Sequence, residues 1–185
     1  MTASLQISEN RSSRKYSLKT QVARVLWAFG RCLFRVVPRP LYAPRNTLLR
    51  WFGSTIGRHV QISNTAIVYF PWQLTVGDDV GIGDGARLYN LGPLNIGSRV
   101  TISQGAHLCG GTHDYRDRRM PLIRSPITVE NDAWICADAF VGPGVTIGAG
   151  AVVGARAVAM RTVDPWQVVT GNPAQVIKQR VLSES

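Results

Sequence analysis

The 185-residue sequence has few cysteines, few histidines and no long uninterrupted hydrophobic run. Its three cysteines are odd in number and follow no spacing pattern, which argues against a disulfide framework and predicts a reducing, cytoplasmic location. The apolar residues near the N-terminus are interrupted by Lys19, Arg24, Arg31 and Arg35, so this stretch is too charged to span a bilayer. It also lacks the continuous apolar core and small-residue cleavage site of a signal peptide.

Acidic residues are almost absent from the first 52 positions. This segment holds ten Lys and Arg against one acid, Glu9, and so carries +9 of the formal net charge of +10. The remaining residues are close to neutral, with eleven basic and ten acidic side chains. We expect no nucleic-acid partner, because no recognised nucleic-acid-binding module accompanies the charge.

The sequence is rich in a six-residue repeat. Aliphatic residues recur six apart at Val129, Ile135, Val141, Ile147 and Val153. A period of six fits neither a helix nor a pleated strand, whose side chains repeat at about 3.6 and 2 residues. It predicts an all-β solenoid, a parallel β-helix in which three hexads complete one coil.

The same repeat extends towards the N-terminus in three earlier blocks. Their aliphatic residues are Ile56, Ile62 and Val68, then Val76, Ile82 and Leu88, then Ile96, Ile102 and Leu108. The step between blocks is eight residues, and it grows to 21 before the next block. We therefore predict about five coils in a β-helix domain at residues 53–170, with a catalytic loop at 110–126 and a C-terminal tail at 171–185.

The segment before the repeats divides into two predicted parts. Residues 1–16 are predicted to form a disordered basic tail, and residues 17–52 a helical basic arm. An amphipathic helix is predicted between residues 17 and 37 from apolar residues at helical spacing, namely Leu18, Val22, Val25, Leu26, Phe29, Leu33 and Val36. Two roles remain open for it: a cap on the first coil, or an interfacial helix on an anionic membrane.

Two stretches of the repeat region resemble a known family. Residues 127–147 (ITVENDAWICADAFVGPGVTI) and 163–178 (VDPWQVVTGNPAQVIK) are similar to hexapeptide-repeat acyltransferases. The nearest branches are sugar O-acetyltransferases of the maltose and nodulation types and colanic-acid-type exopolysaccharide acetyltransferases. The resemblance covers roughly residues 40–180. It implies a left-handed β-helix, a homotrimer, and an acyl-CoA site in each groove between subunits.

The implied activity is acetyl-CoA-dependent transfer of an acetyl group to a sugar hydroxyl in exopolysaccharide biosynthesis. Such transfer needs a base that removes the hydroxyl proton, and histidine suits this role near neutral pH. His113 lies in the long loop, and the resemblance places the family's catalytic histidine on it. Asp114 is a candidate to orient His113. Asp84 and Asn90 are candidates to bind the acceptor, or else ordinary turn residues.

The resemblance also implies residues on the acetyl-CoA side. Ala137 and Ala155 match small residues that flank the pantetheine channel. Arg161 and Lys178 match basic positions that can meet the CoA phosphates. Each has an ordinary alternative, as a small corner residue or a solvated surface charge. No metal is expected, and the enzyme is predicted to work in the cytoplasm, with peripheral inner-membrane contact as an option.

Two other functions are compatible with a β-helix of this kind. The first is a non-catalytic β-helix scaffold at a membrane surface. The second is a metal hydrase similar to γ-carbonic anhydrases, with three histidines as zinc ligands. His59, however, precedes His107 by close to three coils, or about 14 Å, which is too far for a shared metal. An acyl-enzyme on Cys109 is the mechanistic alternative to direct transfer.

Overall fold

The computed structural model describes residues 5–13 and 15–183. Three helices come first: α1 (Ile7–Ser12), α2 (Leu18–Val36) and α3 (Tyr42–Trp51). A 3₁₀ turn lies at Pro71–Gln73. The strands are β1 (Thr55–Ile56), β2 (Gln61–Ile62), β3 (Ile67–Val68), β4 (Leu74–Val76), β5 (Gly81–Ile82), β6 (Arg87–Tyr89), β7 (Leu94–Ile96), β8 (Thr101–Ile102), β9 (His107–Cys109), β10 (Gly111–His113), β11 (Leu122–Arg124), β12 (Ile127–Val129), β13 (Trp134–Ile135), β14 (Phe140–Val141), β15 (Thr146–Ile147), β16 (Val152–Val153), β17 (Val158–Ala159), β18 (Gln167–Thr170) and β19 (Gln175–Gln179).

The parallel strands form the three faces of a prism. Face 1 contains β1, β4, β7, β12 and β15; face 2 contains β2, β5, β8, β13, β16 and β18; face 3 contains β3, β6, β9, β14 and β17. Successive strands of one coil go to successive faces, so each coil consists of three strands. The result is a left-handed parallel β-helix with five complete coils and the start of a sixth. The predicted fold is confirmed.

The hexad aliphatics form ladders in the core. On face 2, for example, Ile62 lies in register with Ile82, Ile82 with Ile102, and Ile102 with Ile135. All of these side chains are at most 3% exposed. Burying one such side chain stabilises a fold by about 1.5–3 kcal/mol, so the repeated ladders provide most of the driving force for the solenoid.

Helix α3 covers the open end of the first coil. The Arg45 side chain is fully buried there, and its Nε donates to the Ile62 carbonyl at 3.1 Å. Asn46 Nδ2 donates to the Val60 carbonyl at 2.8 Å. Arg50 donates to the carbonyls of Ile56 and Gly57. These contacts satisfy backbone acceptors that an uncovered edge would present to other chains.

Helix α2 packs on the solenoid through a narrow face. Trp27 and Phe34 are buried, and Trp27 Nε1 donates to the Val68 carbonyl at 2.9 Å. Gly30 permits this approach, because a Cβ there would lie 2.9 Å from the ring of Phe52. The predicted apolar stripe is on the opposite side of the helix. Its seven residues, Leu18, Val22, Val25, Leu26, Phe29, Leu33 and Val36, are 54–79% exposed.

The structure differs from the predicted boundaries at both ends. The predicted disordered tail contains α1, because Gln6 N donates to the Arg118 carbonyl at 2.9 Å and Asn10 Nδ2 donates to the Met120 carbonyl. The predicted C-terminal tail contains β19, which pairs antiparallel with β18 and extends face 2. No helix in the described part of the chain is long and apolar enough to cross a bilayer.

The longer steps between hexads all fall at one edge of the prism, between face 3 and the next strand of face 1. We call its three additional segments, residues 69–73, 90–93 and 110–126, the insertion edge. The two other edges keep the six-residue step in all five complete coils. The chain therefore confines its irregular backbone to a single side of the solenoid.

Candidate active site

The third segment of the insertion edge is a β-hairpin. Strands β10 and β11 pair antiparallel, with Gly111 opposite Arg124 and His113 opposite Leu122. At its base, Ser125 N donates to the Gly110 carbonyl at 2.9 Å. The predicted loop is thus a regular element that carries His113 on a strand.

The imidazole of His113 is exposed and held by one main-chain contact. Its Nδ1 lies 2.7 Å from the Met120 carbonyl oxygen. A carbonyl oxygen only accepts hydrogen bonds, so this contact selects the tautomer with the proton on Nδ1. Nε2 then carries the lone pair and is free to take a proton from a hydroxyl group.

The N-terminal segment supports the same carbonyl. Asn10 Nδ2 also donates to the Met120 oxygen, and Gln6 N donates to the Arg118 carbonyl. The backbone that orients His113 is therefore fastened to α1. This contact could not be predicted from residue types, because the acceptor is a main-chain atom.

His113 lies on the side of the hairpin that faces the solenoid. A Cβ added at Gly111 would lie 2.6 Å from Leu91 Cδ1 and 3.0 Å from Tyr89 Cε1. Residues two apart on a strand point to the same face. The side chain of His113 therefore lies on the same face as this contact, about 7 Å further along the strand.

Gly111→Val tests whether this close approach positions His113. The added side chain must displace the hairpin from Leu91 and Tyr89, and a shift of about 1 Å in a catalytic group lowers turnover by about 10²-fold. We expect such a loss of kcat with a small change in thermal midpoint. Gly81→Ala is the matched control, because a Cβ there meets nothing within 4 Å. Wild-type turnover by Gly111→Val would show that the contact does not position His113.

The other two histidines are held elsewhere. His107 lies on face 3 between the rings of Tyr89 and Phe140, with centroids 6.4 and 5.3 Å away, and burial lowers its pKa, assisted by the charge of Arg87. His59 is exposed in the first coil, with Nδ1 3.0 Å from Asp79 Oδ1. Among residues 5–13 and 15–183, no group of three His, Cys, Asp or Glu side chains is arranged to hold a metal.

Cys109 lies at the end of β9, just before the hairpin. Its thiol is partly buried and donates to the Gly111 carbonyl, with the sulfur 3.3 Å from the oxygen. This contact turns the sulfur towards the base of the hairpin. The exposed imidazole of His113 is therefore better placed to meet a substrate.

Asp84, predicted to bind the acceptor, and Asp114, predicted to orient His113, both make contacts within the fold. Asp84 accepts from the hydroxyls of Ser63 and Thr65, which lower its pKa, and it pairs with Arg39 at 3.2 Å. It therefore joins the arm to the solenoid. Asp114 Oδ1 accepts from the backbone of the hairpin tip, at Arg116 N. The Met120 carbonyl, and not Asp114, is the group that orients His113.

Asn90 is buried within the insertion edge. Its Oδ1 accepts from Phe70 N at 3.0 Å, and its Nδ2 donates to the Phe70 carbonyl at 2.6 Å. Both side-chain polar atoms thus bind the backbone of the coil below. We assign Asn90 the structural role of fixing the two lower segments of the edge to each other.

This solenoid and hairpin agree with what sequence comparison finds. The chain is 42% identical over 158 residues to a protein of Escherichia coli K12 named as a colanic acid biosynthesis acetyltransferase, WcaF. The match covers 85% of this chain and 87% of that protein. The chain belongs to this acetyltransferase family. No protein-family model matches it.

Solved structures support the same assignment. A hexapeptide-repeat acetyltransferase of Vibrio cholerae, VCA0836, in complex with acetyl-CoA superposes with a TM-score of 0.82 at 25% identity, over 92% of this chain and 94% of that one. A maltose O-acetyltransferase of Clostridium difficile 630 shares the fold, with a TM-score of 0.77 at 23% identity over 90% of each chain. The acetyltransferase described here thus shares the fold of a protein solved with acetyl-CoA bound.

The predicted donor-side alanines lie one above the other at the edge between faces 2 and 3. Gly105 N donates to the Asp84 carbonyl, Asp138 N to that of Gln104, and Arg156 N to that of Ala137. These bonds stack the equivalent corner residues of successive coils in one column, which contains Asp84, Gln104, Ala137 and Ala155. The upper two side chains of this column, in coils four and five, are only methyl groups, whereas the lower two are an aspartate and a glutamine.

The two predicted basic donor residues are exposed near the C-terminal end. Arg161 lines a cavity of about 340 Å³ together with Met160 and Pro173. Lys178 lies on β19, opposite Val168. Sequence reasoning missed Arg180, which donates to the carbonyls of Asp132 and Gly150 and so fastens the last strand to the solenoid.

Proposed function

We propose that the chain transfers the acetyl group of acetyl-CoA to a sugar hydroxyl in exopolysaccharide biosynthesis. The observation that carries this proposal is the exposed His113, whose Nδ1 contacts the Met120 carbonyl and whose Nε2 has no hydrogen-bond partner in the described part of the chain. The likeness to WcaF and to a maltose O-acetyltransferase supports a sugar as the acceptor.

The chemistry is direct transfer without an acyl-enzyme. His113 Nε2 takes the proton of the acceptor hydroxyl while the oxygen attacks the thioester carbonyl. The carbon–sulfur bond then breaks, the acetyl group stays on the sugar oxygen, and the proton passes from Nε2 to the leaving CoA sulfur. A backbone N–H directed at the carbonyl oxygen would stabilise its transient negative charge.

We further propose that the active enzyme is a homotrimer. His113 extends from the insertion edge, between faces 3 and 1, whereas Ala137 and Ala155 lie at the edge between faces 2 and 3. One chain therefore presents the base and the donor-side residues on different edges. Packing of copies around a threefold axis can bring the base of one subunit to the edge of its neighbour that carries Ala137 and Ala155.

The test is acceptor-dependent release of CoA thiol from acetyl-CoA. Methyl glycosides, oligosaccharides and nucleotide sugars serve as acceptors, and mass spectrometry locates the acetyl group. Release that requires a glycan and yields an O-acetyl ester supports the proposal. Acetyl-CoA turnover with amine acceptors alone would contradict it.

Helix α2 supports a further part of this proposal, peripheral contact with the cytoplasmic surface of an anionic inner membrane. Its apolar stripe faces away from the solenoid along a helix of about 28 Å. The arm that carries it belongs to the segment with a charge of +9. An apolar face within a basic segment is typical of helices that bind the surface of anionic membranes. The shared positive charge disfavours the alternative, in which the stripes of several copies of the chain pack against one another.

Phe29→Asp with Leu33→Asp tests the membrane contact. We expect wild-type protein to sediment with phosphatidylglycerol vesicles more than with phosphatidylcholine vesicles, and less so at high salt. The double variant should lower the bound fraction about tenfold or more. Val181→Asp with Leu182→Asp is the matched control at the exposed C-terminal end. Loss of the oligomer in the Phe29/Leu33 variant would instead identify the stripe as a subunit interface.

A further inference from the structure

A cavity of about 550 Å³ lies between α2 and the insertion edge. Its lining includes the aromatic side chains of Tyr16, Tyr69, Phe70 and Tyr89 and the guanidinium groups of Arg24 and Arg31. We call it the acceptor groove. Its aromatic wall exists because the first two coils take eight-residue steps at this edge, which place Tyr69 and Phe70 at its surface beside Tyr89.

The acceptor groove adjoins the catalytic hairpin through two contacts. The guanidinium of Arg124, on β11, lies 4.6 Å from the ring centroid of Tyr16. On β10, Gly111 packs against Tyr89. Since His113 is on this same side of the hairpin, a molecule in the groove can present a hydroxyl to Nε2.

The aromatic wall suits a sugar ring. Tyr69 and Tyr89 meet edge to face with centroids 4.7 Å apart, so one of the rings presents its edge to the other's face. Pyranose rings carry C–H groups that pack on aromatic faces, while phenol hydroxyls can bond to sugar hydroxyls. Asn90 fixes the backbone of this wall through Phe70.

The arginines suit an anion. Arg24 lies 4.6 Å from the ring centroid of Tyr16 and 5.8 Å from that of Phe70. Among the side chains that the structure describes, neither Arg24 nor Arg31 forms an ion pair. The described residues that line the groove include no acidic side chain. Guanidinium groups bind phosphate oxygens in pairs, so two of them together favour a phosphate or diphosphate over a neutral ligand.

We propose that the acceptor groove binds a sugar linked to a diphosphate, with the diphosphate at Arg24 and Arg31 and the sugar against Tyr69 and Tyr89, where its hydroxyl reaches His113. This inference rests on the proposed sugar acetylation and names its substrate class. The diphosphate belongs either to a nucleotide sugar or to a lipid-linked sugar. Both present the same anion beside the sugar.

The test compares one sugar in three forms as acceptor: methyl glycoside, UDP-sugar and farnesyl-diphosphate sugar, for glucose, galactose and N-acetylglucosamine. We expect kcat/KM to be at least tenfold higher for a diphosphate form than for the methyl glycoside. Arg24→Gln and Arg31→Gln should each lower that value by about 10–100-fold, because a charge-assisted hydrogen bond contributes about 1.5–3 kcal/mol. The loss should be smaller for the methyl glycoside than for the diphosphate form, because only the diphosphate form carries an anion for these guanidinium groups.

Arg35→Gln is the matched control, since it removes the same charge from α2 outside the groove. An equal loss in all three arginine variants would mean a general charge effect and would overturn the inference. Equal turnover of methyl and diphosphate forms would overturn it while leaving sugar acetylation intact. If no sugar is acetylated, calorimetry measures the binding of a UDP-sugar directly. Binding to the wild-type protein that is weaker in Arg24→Gln would support the acceptor groove, and the absence of binding would contradict it. Preference for the UDP or the farnesyl form identifies the source of the diphosphate.

Discussion

His113→Asn should lower kcat for acetyl transfer by about 10²–10⁴-fold, the usual contribution of a general base. The asparagine amide can still donate to the Met120 carbonyl, which holds the wild-type Nδ1 at 2.7 Å. It has no group that accepts the hydroxyl proton. The loss should therefore appear in kcat, with little change in the KM for acetyl-CoA or in thermal midpoint, because the side chain is exposed.

The control for this variant is His59→Asn. His59 is exposed in the first coil with a φ of 52°, a conformation that asparagine tolerates well. Its replacement should leave kcat unchanged. If His113→Asn kept a third or more of the wild-type kcat, the proton would have to leave by another route, and Cys109→Ser would be the next variant to measure.

Arg45→Met should lower the free energy of unfolding by about 3 kcal/mol or more. The guanidinium donates to four carbonyls, those of Ile62, Val37, Pro38 and Arg39. Each buried acceptor left without a donor costs about 1–3 kcal/mol. Burial lowers the pKa of Arg45, so methionine avoids the cost of burying a charge, and this partly offsets the loss. Chemical denaturation at one fixed protein concentration measures the difference.

Arg58→Met provides the comparison for Arg45→Met. Arg58 is 83% exposed and pairs with Asp78 at 3.2 Å. An exposed pair of this kind contributes little, so the free energy of unfolding should stay almost unchanged. Equal stability of the two variants would show that water or a backbone shift satisfies the carbonyls around position 45.

The fold could be predicted because its cause is local and periodic. Ile135 and Ile147 stand at hexad positions, and that position alone predicts that their side chains are buried in the core ladders. Their contacts with residues distant in the sequence need not be known in advance. The position of the long loop followed from the one step of 21 residues. His113 could be named because the loop contains a single histidine and resembles the family motif.

The contacts that serve the site could not be predicted in the same way. The partner of the His113 imidazole is a main-chain oxygen, which no residue type signals. The period of α2 identifies an amphipathic helix but not the direction of its apolar side, and the buried face is formed by Trp27 and Phe34 instead. Asparagine is common in turns, so the sequence suggests only a turn at Asn90. Its burial and its bonds to the Phe70 backbone depend on the stacking of two coils.

The confinement of irregular segments to one edge has a consequence for how this enzyme can diversify. Residues 69–73, 90–93 and 110–126 can change in length or composition without shifting any ladder residue out of register. The segments that line the acceptor groove and carry His113 are thus independent of the ladders that hold the prism together. Exchanging these three segments as a set between homologues should transplant acceptor preference, much as loops on an antibody domain are exchanged on a constant framework.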